Sequence, residues 1–191
     1  MTTIIVNPRY IRSLRHLMAK NDIRYYLCGV HILADEKRGK FYTATNGHLL
    51  GVYHEAWADG ETPFSAELIV PGDVVKALKP AKDLLANLIQ RADGRWAFDG
   101  LSADFTPVDG KFPDWQRIIP RQVSGEQAHY NYDYLADFNA CGREGWGCKY
   151  SVEVYQNGLS TALVKNGCPD FVGAIMPMRV AGDATLPEWL N

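Results

Sequence analysis

Three times along the chain a short β-branched, apolar stretch gives way to a helix start and then to several short strands; this recurrence limits the possible fold more than any other feature. In the first unit residues 3–7 read as a strand. Pro8 suits the first turn of a helix, and Ile11, Leu14, Leu17 and Met18 fall at helical spacing across residues 8–20. Strands are predicted at 24–34, 40–45 and 47–54, the last two joined at Asn46-Gly47, a dipeptide suited to a tight hairpin. The second unit starts with residues 66–70. Pro71 and Asp73 open a helix carrying Val74, Val75 and Leu78, then Leu84, Leu85 and Leu88, with Pro80 expected to kink or split it. Short strands follow at 95–98 and 101–106, and a Gly/Pro-marked segment, 109–120, closes the unit. The third unit begins near 127–131, passes through a short helix to about Ala140, and ends in strands at 149–156, 159–165 and 171–178. A polar linker, 121–126, precedes it. The pattern predicts an α+β fold with antiparallel sheets and helices on one face.

The 191 residues suffice for one large domain or two small ones with a real core. Apolar residues make up 47% and charged residues 22%, the balance of a globular protein in water. No apolar run reaches the roughly 18–20 residues of a membrane span, and residues 1–7 lack the features of a signal peptide. Cys28, Cys141, Cys148 and Cys168 form no CxxC pair and read as reduced thiols, which implies a cytoplasmic protein. A net charge of −2 neither announces nor excludes a nucleic-acid partner. The five histidines, His16, His31, His48, His54 and His129, build no HxxxH or HExxH pattern, and no GxSxG, phosphate loop or dinucleotide fingerprint occurs. The expectation is therefore a protein without catalytic residues, metal or cofactor.

Three motifs then make the reading specific. Ile23-Arg24-Tyr25-Tyr26-Leu27-Cys28-Gly29, followed by Ala44-Thr45-Asn46-Gly47-His48-Leu49-Leu50, resembles the middle domain of the bacterial sliding clamp family, the DNA polymerase III beta subunit. The segment from Val108-Asp109-Gly110-Lys111-Phe112-Pro113 through Asp114-Trp115-Gln116-Arg117-Ile118-Ile119-Pro120 resembles the end of that domain. Ile175-Met176-Pro177-Met178-Arg179-Val180 resembles the family's C-terminus. The resemblance implies clamp-like half-repeats of strand, helix and strands in a shortened form. Residues 1–120 would be a complete domain of two half-repeats, 126–180 a single half-repeat of the third domain, and 181–191 a tail.

It also implies a pocket between the two parts for short clamp-binding peptides of polymerases or repair proteins. The matching positions are Leu27, Thr45, Gly47, His48, Leu49, Leu50, Pro113, Arg117 and Ile118, then Asn131, Tyr134, Leu159, Thr161, Ala174, Ile175, Met176, Pro177, Met178 and Arg179. Leu49 departs from the family, where a basic residue is familiar, and Asn46 replaces a familiar aspartate. A few deep apolar contacts must supply a short peptide's affinity; Leu27, Leu50, Ile118 and Ile175 are the expected floor. Met176 and Met178 suit a groove that takes many sequences. Basic positions on the first two helices, Arg9, Arg12, Arg15, Lys20, Lys76, Lys79 and Lys82, fit a surface facing the phosphates of double-stranded DNA without reading its sequence. Asp133 and Asp137 make the third helix a poor DNA lining. Two alternatives stay open: a true processivity clamp closed around DNA by several subunits, and a hydrolase or nuclease on the same scaffold.

Overall fold

Asn7 ends the first strand and starts the first helix. In the computed structural model, which describes residues 2–79, 85–99, 104–149, 152–180, 186 and 189, β1 (Thr3–Val6) runs into α1 (Pro8–Ser13). The Asn7 side-chain oxygen accepts the backbone N–H of Arg9 at 3.1 Å and of Tyr10 at 3.3 Å, donors that a helix start leaves without an internal partner. A 3₁₀ turn (Leu14–His16) extends α1, and Ile11, Leu14, Leu17 and Met18 are all buried. Three strands follow as a meander, β2 (Gly29–Asp35), β3 (Gly39–Thr45) and β4 (Leu49–Glu55). In the β3–β4 turn the Asn46 side chain accepts the N–H of His48 at 2.9 Å and of Leu49 at 3.0 Å, and Gly47 takes a φ of +92°.

The second unit contains β5 (Ala66–Pro71), α2 (Gly72–Ala77), β6 (Ala86–Gln90) and β7 (Trp96–Phe98). Here the helix expected to run through Leu88 is corrected: α2 stops at Ala77, and Leu88 lies fully buried in β6, opposite Ile4 of β1. Pro80 and Leu84, together with 101–103 of the expected strand at 101–106, lie outside the described residues. Phe105 makes a single antiparallel bridge to Trp96.

In the third unit α3 (Tyr132–Trp146) passes the expected end at Ala140 and stops where Gly147 adopts a φ of +81°. Strands β8 (Glu153–Tyr155), β9 (Ala162–Lys165) and β10 (Phe171–Ile175) are each shorter than predicted. Every strand pairing among the described residues is antiparallel. The first two units exchange their leading strands: β1 pairs with β6, and β5 pairs with β2. Among the described residues this leaves a three-stranded sheet, β1-β6-β7, and a seven-stranded one, β5-β2-β3-β4-β10-β9-β8. The third unit is thus continuous with the first, through β10 lying antiparallel on β4 from Phe171↔Tyr53 to Ile175↔Leu49.

Alternation along the strands assigns the two faces of the large sheet. Leu49 and Tyr53 of β4, with Phe171 and Ile175 of β10, join the main core under the helices, with Tyr10, Ile11, Leu14, Leu17 and Phe138. Leu50 and Val52, with Ala174, form a separate cluster on the outer face, covered by Phe41, Trp115, Ile119 and Val172. Lys40 of β3 is buried, its ammonium donating to the Ile5 carbonyl at 2.9 Å and to both Glu61 oxygens at 3.1 Å.

Two glycines let α3 sit close to this sheet. A Cβ at Gly142 would lie 2.8 Å from the Asn166 carbonyl oxygen, and one at Gly145 would lie 2.5 Å from the Tyr53 hydroxyl and 2.8 Å from that of Ser13. Beside them Glu144 binds Arg12, Arg15 at 3.2 Å and His16 at 2.9 Å, tying α3 to the first helix. Gly145→Ala should therefore destabilise the protein. Helix propensity favours alanine by about 1 kcal/mol, but the buried Tyr53 ring, stacked on Tyr10 at 4.2 Å, cannot yield freely. Overpacking of this kind costs about 1–3 kcal/mol. A urea titration of the two proteins checks the sign, with a lower midpoint expected for the variant.

Candidate functional site

A row of residues across three strands builds the site. Thr45 of β3 pairs with Leu50 of β4, and Leu50 with Ala174 of β10. Leu50 and Ala174 point to the outer face, and the row lines a cavity of about 380 Å³ at the seam between the first and third units. Leu27, from a 3₁₀ turn (Tyr25–Leu27), is buried beside it, and Leu49 borders it although it also belongs to the main core. The segment after the second unit supplies another wall, with Pro113 and Ile118 lining the cavity. Phe112 holds this segment by stacking on His31 at 4.6 Å, and Trp115 packs on Phe41 at 5.4 Å. On the far side the Met176 N–H donates to the His48 carbonyl at 2.9 Å, which holds the chain beyond β10 against the β3–β4 turn. The Met176 side chain is half exposed at the rim, and Thr161 completes the lining.

The polar groups near the cavity are largely committed. The Thr45 hydroxyl donates to the Leu49 carbonyl at 2.6 Å and accepts the Gly47 N–H at 3.0 Å. The Arg24 guanidinium lies over Gly47, where a Cβ would come within 2.9 Å of it. Arg24 also donates through Nε and Nη2 to the Asp22 carboxylate at 3.0 and 2.7 Å, and its backbone N–H donates at 2.8 Å. These hydrogen bonds hold the Asp22 carboxyl at about 2. His48 stacks on Tyr134 of α3 at 5.8 Å. What remains open to a ligand is mainly apolar, with one cation at the edge.

The structure gathers Leu27, Thr45, Gly47, His48, Leu49, Leu50, Pro113, Ile118, Thr161, Ala174 and Met176 around this one cavity. Ile175, expected in its floor, is not there: it follows Ala174 by one residue and so faces the main core, where it is fully buried. Leu159 and Arg117 stand exposed, and Pro177 and Arg179 line none of the cavities described. Asn131 and Met178 border a second cavity of about 500 Å³, and the Asn131 side chain also caps α3 by accepting the Asp133 N–H at 2.9 Å. Tyr134 borders a third cavity, with Lys20, Asp22 and Asp137. Arg24 was not anticipated from sequence; the space that Gly47 leaves for it is visible only in three dimensions.

Of the basic positions expected to face DNA, Arg12 and Arg15 converge on Glu144, and Arg12 also donates to the Leu78 carbonyl at 2.6 Å. Arg9 is half-buried, and Lys20, Lys76 and Lys79 are exposed. Lys82 lies outside the described residues. Among the described residues no group of three or more His, Cys, Asp or Glu side chains could hold a metal ion, and no helix is long and apolar enough to cross a membrane.

Comparison with known proteins gives the fold a relative. No family model matches the chain. Over 118 residues, 59% of the chain, it is 31% identical to the beta sliding clamp of Proteus mirabilis, and over 113 residues, 58% of the chain, it is 26% identical to that of Buchnera aphidicola. The matched region spans 31% of the length of each relative. In three dimensions the crystal structure of the DNA polymerase III subunit beta from Pseudomonas aeruginosa aligns with 94% of this chain and 67% of its own, at a TM-score of 0.66 and 19% identity. The chain resembles the beta sliding clamp in sequence and has an α+β, clamp-like fold.

The electrostatics at the rim can be tested directly. Arg24→Ala should raise the Asp22 carboxyl from about 2 towards the ordinary value of about 3.9 without reaching it, because the backbone N–H of residue 24 still donates to Asp22. Carbon-detected NMR of the carboxyl resonance against pH measures the shift. In the unaltered protein the contribution of this contact is present above the ordinary aspartate range and is lost as pH falls through about 2.

Proposed function

We propose that the chain is a clamp-like module of DNA replication that holds short clamp-binding peptides of polymerases or repair proteins in the seam cavity. The observation that carries this reading is the row Thr45–Leu50–Ala174, which places an apolar cleft where the first and third units meet, rimmed by Ile118 and Met176. A cavity of about 380 Å³ lies at the small end of ligand sites. It suits one or two anchoring side chains better than a whole folded partner. Burying one large apolar side chain there contributes about 1.5–3 kcal/mol, so a peptide ending in an apolar pair would gain most of its affinity from two residues. Met176 is unbranched and polarisable, which lets the rim adjust to different sequences. Arg24 and His48 supply polar contacts at the turn.

In this reading residues 1–120 form a complete clamp-like domain, 126–180 a single half-repeat, and 181–191 a tail. Leu186 and Trp189 of that segment are exposed, and neither lines the seam cavity; 181–185, 187–188 and 190–191 lie outside the described residues. A second reading, a ring closed around double-stranded DNA, draws on the exposed Lys20, Lys76 and Lys79. The engagement of Arg12 and Arg15 by Glu144 weighs against it, because two of the expected phosphate ligands already have a carboxylate.

Calorimetry with a peptide containing glutamine followed by a Leu-Phe pair tests the proposal. Binding is expected, and Met176→Ala should weaken it by about 1–1.5 kcal/mol, roughly tenfold. Absence of heat at millimolar peptide, for the full chain and for a form ending at Val180, would rule the peptide reading out.

A further inference from the structure

The first two units solve a problem that the third leaves open. The leading strand β1 crosses to pair with β6, the first strand after α2, and β5 crosses to pair with β2, the first strand after α1. Each unit thereby covers the edge of the other. In the third unit the corresponding parts are residues 127–130, which precede α3, and β8, which follows it. Among the described residues β8 pairs only with β9, so its outer edge carries backbone donors and acceptors that no strand meets.

Residues 127–130 are nevertheless positioned as a leading strand. The Ile69 carbonyl of β5 accepts the N–H of Val108, from the end of its own unit, at 2.9 Å, while Ile69 pairs on its other side with His31 of β2. In the third unit the His129 carbonyl likewise accepts the N–H of Met178, from the end of its own unit, at 2.7 Å. No other strand among the described residues pairs with it; within the chain the Gln156 side chain, just past β8, accepts the Ala128 N–H at 2.8 Å, and 125–126 are bonded to the same turn through the Gly125 N–H on the Gln156 carbonyl and the Gly158 N–H on the Glu126 carbonyl, each at 3.0 Å. The cavity of about 500 Å³ opens along this segment.

The helix above tells the same story. On one flank of α3 Glu144 binds the arginines of the first helix. On the other flank Tyr132, Ala136, Asn139, Arg143 and Trp146 recur at spacings of four and three, the period of a helix–helix contact. The aromatics at the two ends of this stripe are open: Tyr132 is 84% exposed and Trp146 is 47% exposed.

We propose that a second copy of this chain completes the third unit. Residues 127–130 of each copy pair antiparallel with β8 of the other, and the two α3 stripes meet across a two-fold axis. The same patch serves both copies, so the contact is self-complementary and closes at a dimer. Antiparallel α3 helices bring Tyr132 of one copy towards Trp146 of its partner, and each seven-stranded sheet gains an eighth strand. The internal exchange between the first two units is the template, and the third unit contributes both halves of the same exchange.

Light scattering of the full chain at roughly 100 μM, where a micromolar Kd would pair most chains, should give twice the single-chain mass of 21.4 kDa. The double variant Y132E/W146E changes two exposed side chains, so it should keep its circular dichroism spectrum and return to the single-chain mass. Hydrogen exchange gives a second measurement: amides of β8 and of 127–130 should be protected in the unaltered protein and exchange in the variant. A monomer at that concentration, a closed assembly larger than a dimer, an unchanged dimer in Y132E/W146E, or unprotected β8 amides in the dimer would each overturn the proposal. Peptide binding at the seam cavity is independent of this contact, and the variant should retain it.

Discussion

The antiparallel ladder between β4 and β10 is the contact on which the site and the third unit both depend. It joins two stretches far apart in the chain into one sheet and sets the row in which Leu50 meets Ala174. Cross-strand pairs contribute about 0.2–1 kcal/mol each, whereas a fully buried large side chain contributes about 1.5–3 kcal/mol. The strength of the seam therefore comes mainly from beneath it. Phe171 packs edge-on to Tyr53 at 4.9 Å, Tyr53 stacks on Tyr10, and Phe138 of α3 meets Phe171 at 6.1 Å. The ladder decides which residues face which side; the aromatics below hold it closed. A concave, apolar opening on the outer face can then exist without weakening the seam, because the core that secures it lies on the other face.

The same division of labour appears in the charges between the helices. Arg12 and Arg15 sit where a basic helix could meet an anion from outside, yet Glu144 occupies them from within the molecule. Arg12 is 15% exposed in its side chain and Glu144 16%, so this contact is screened less than a surface pair. Removing either partner would leave a shielded charge unpaired, the costly half of such an arrangement. The first and third units are thus tied by hydrogen-bonded strands at the sheet and by an acid shared among bases at the helices.

How far the sequence could be read depended on whether a signal was local. The β3–β4 turn was legible because Asn46 and Gly47 carry its chemistry themselves, and Pro8 likewise marked the start of α1. Leu84, Leu85 and Leu88 fit a helix as well as a strand over so short a run; the partner that decides for Leu88, β1, lies at the start of the chain, far away in sequence. In the site, the resemblance to the clamp family gathered most of the lining residues, because its motifs fall at the ends of β3, β4 and β10. It placed Ile175 beside Ala174 without assigning faces, and only the register with β4 separates them. Arg24 was missed because its place depends on the empty space above Gly47.

Lys40 carries a consequence for what this sequence refuses to become. Its ammonium lies beneath the sheet, bonded to Ile5 of β1 and to Glu61. A strand that slips by one residue turns every side chain to the opposite face. Slippage of β3 would turn this cation to the opposite face, away from its partners, and leave Glu61, itself only 10% exposed, without its counter-charge. A leucine at this position would tolerate both arrangements. The buried ion pair adds little to the depth of the native minimum, since desolvation offsets most of the attraction, but it raises the neighbouring minima. In a protein assembled from look-alike units with interchangeable strands, that discrimination is what makes one pairing of strands the answer among several near-equivalent ones.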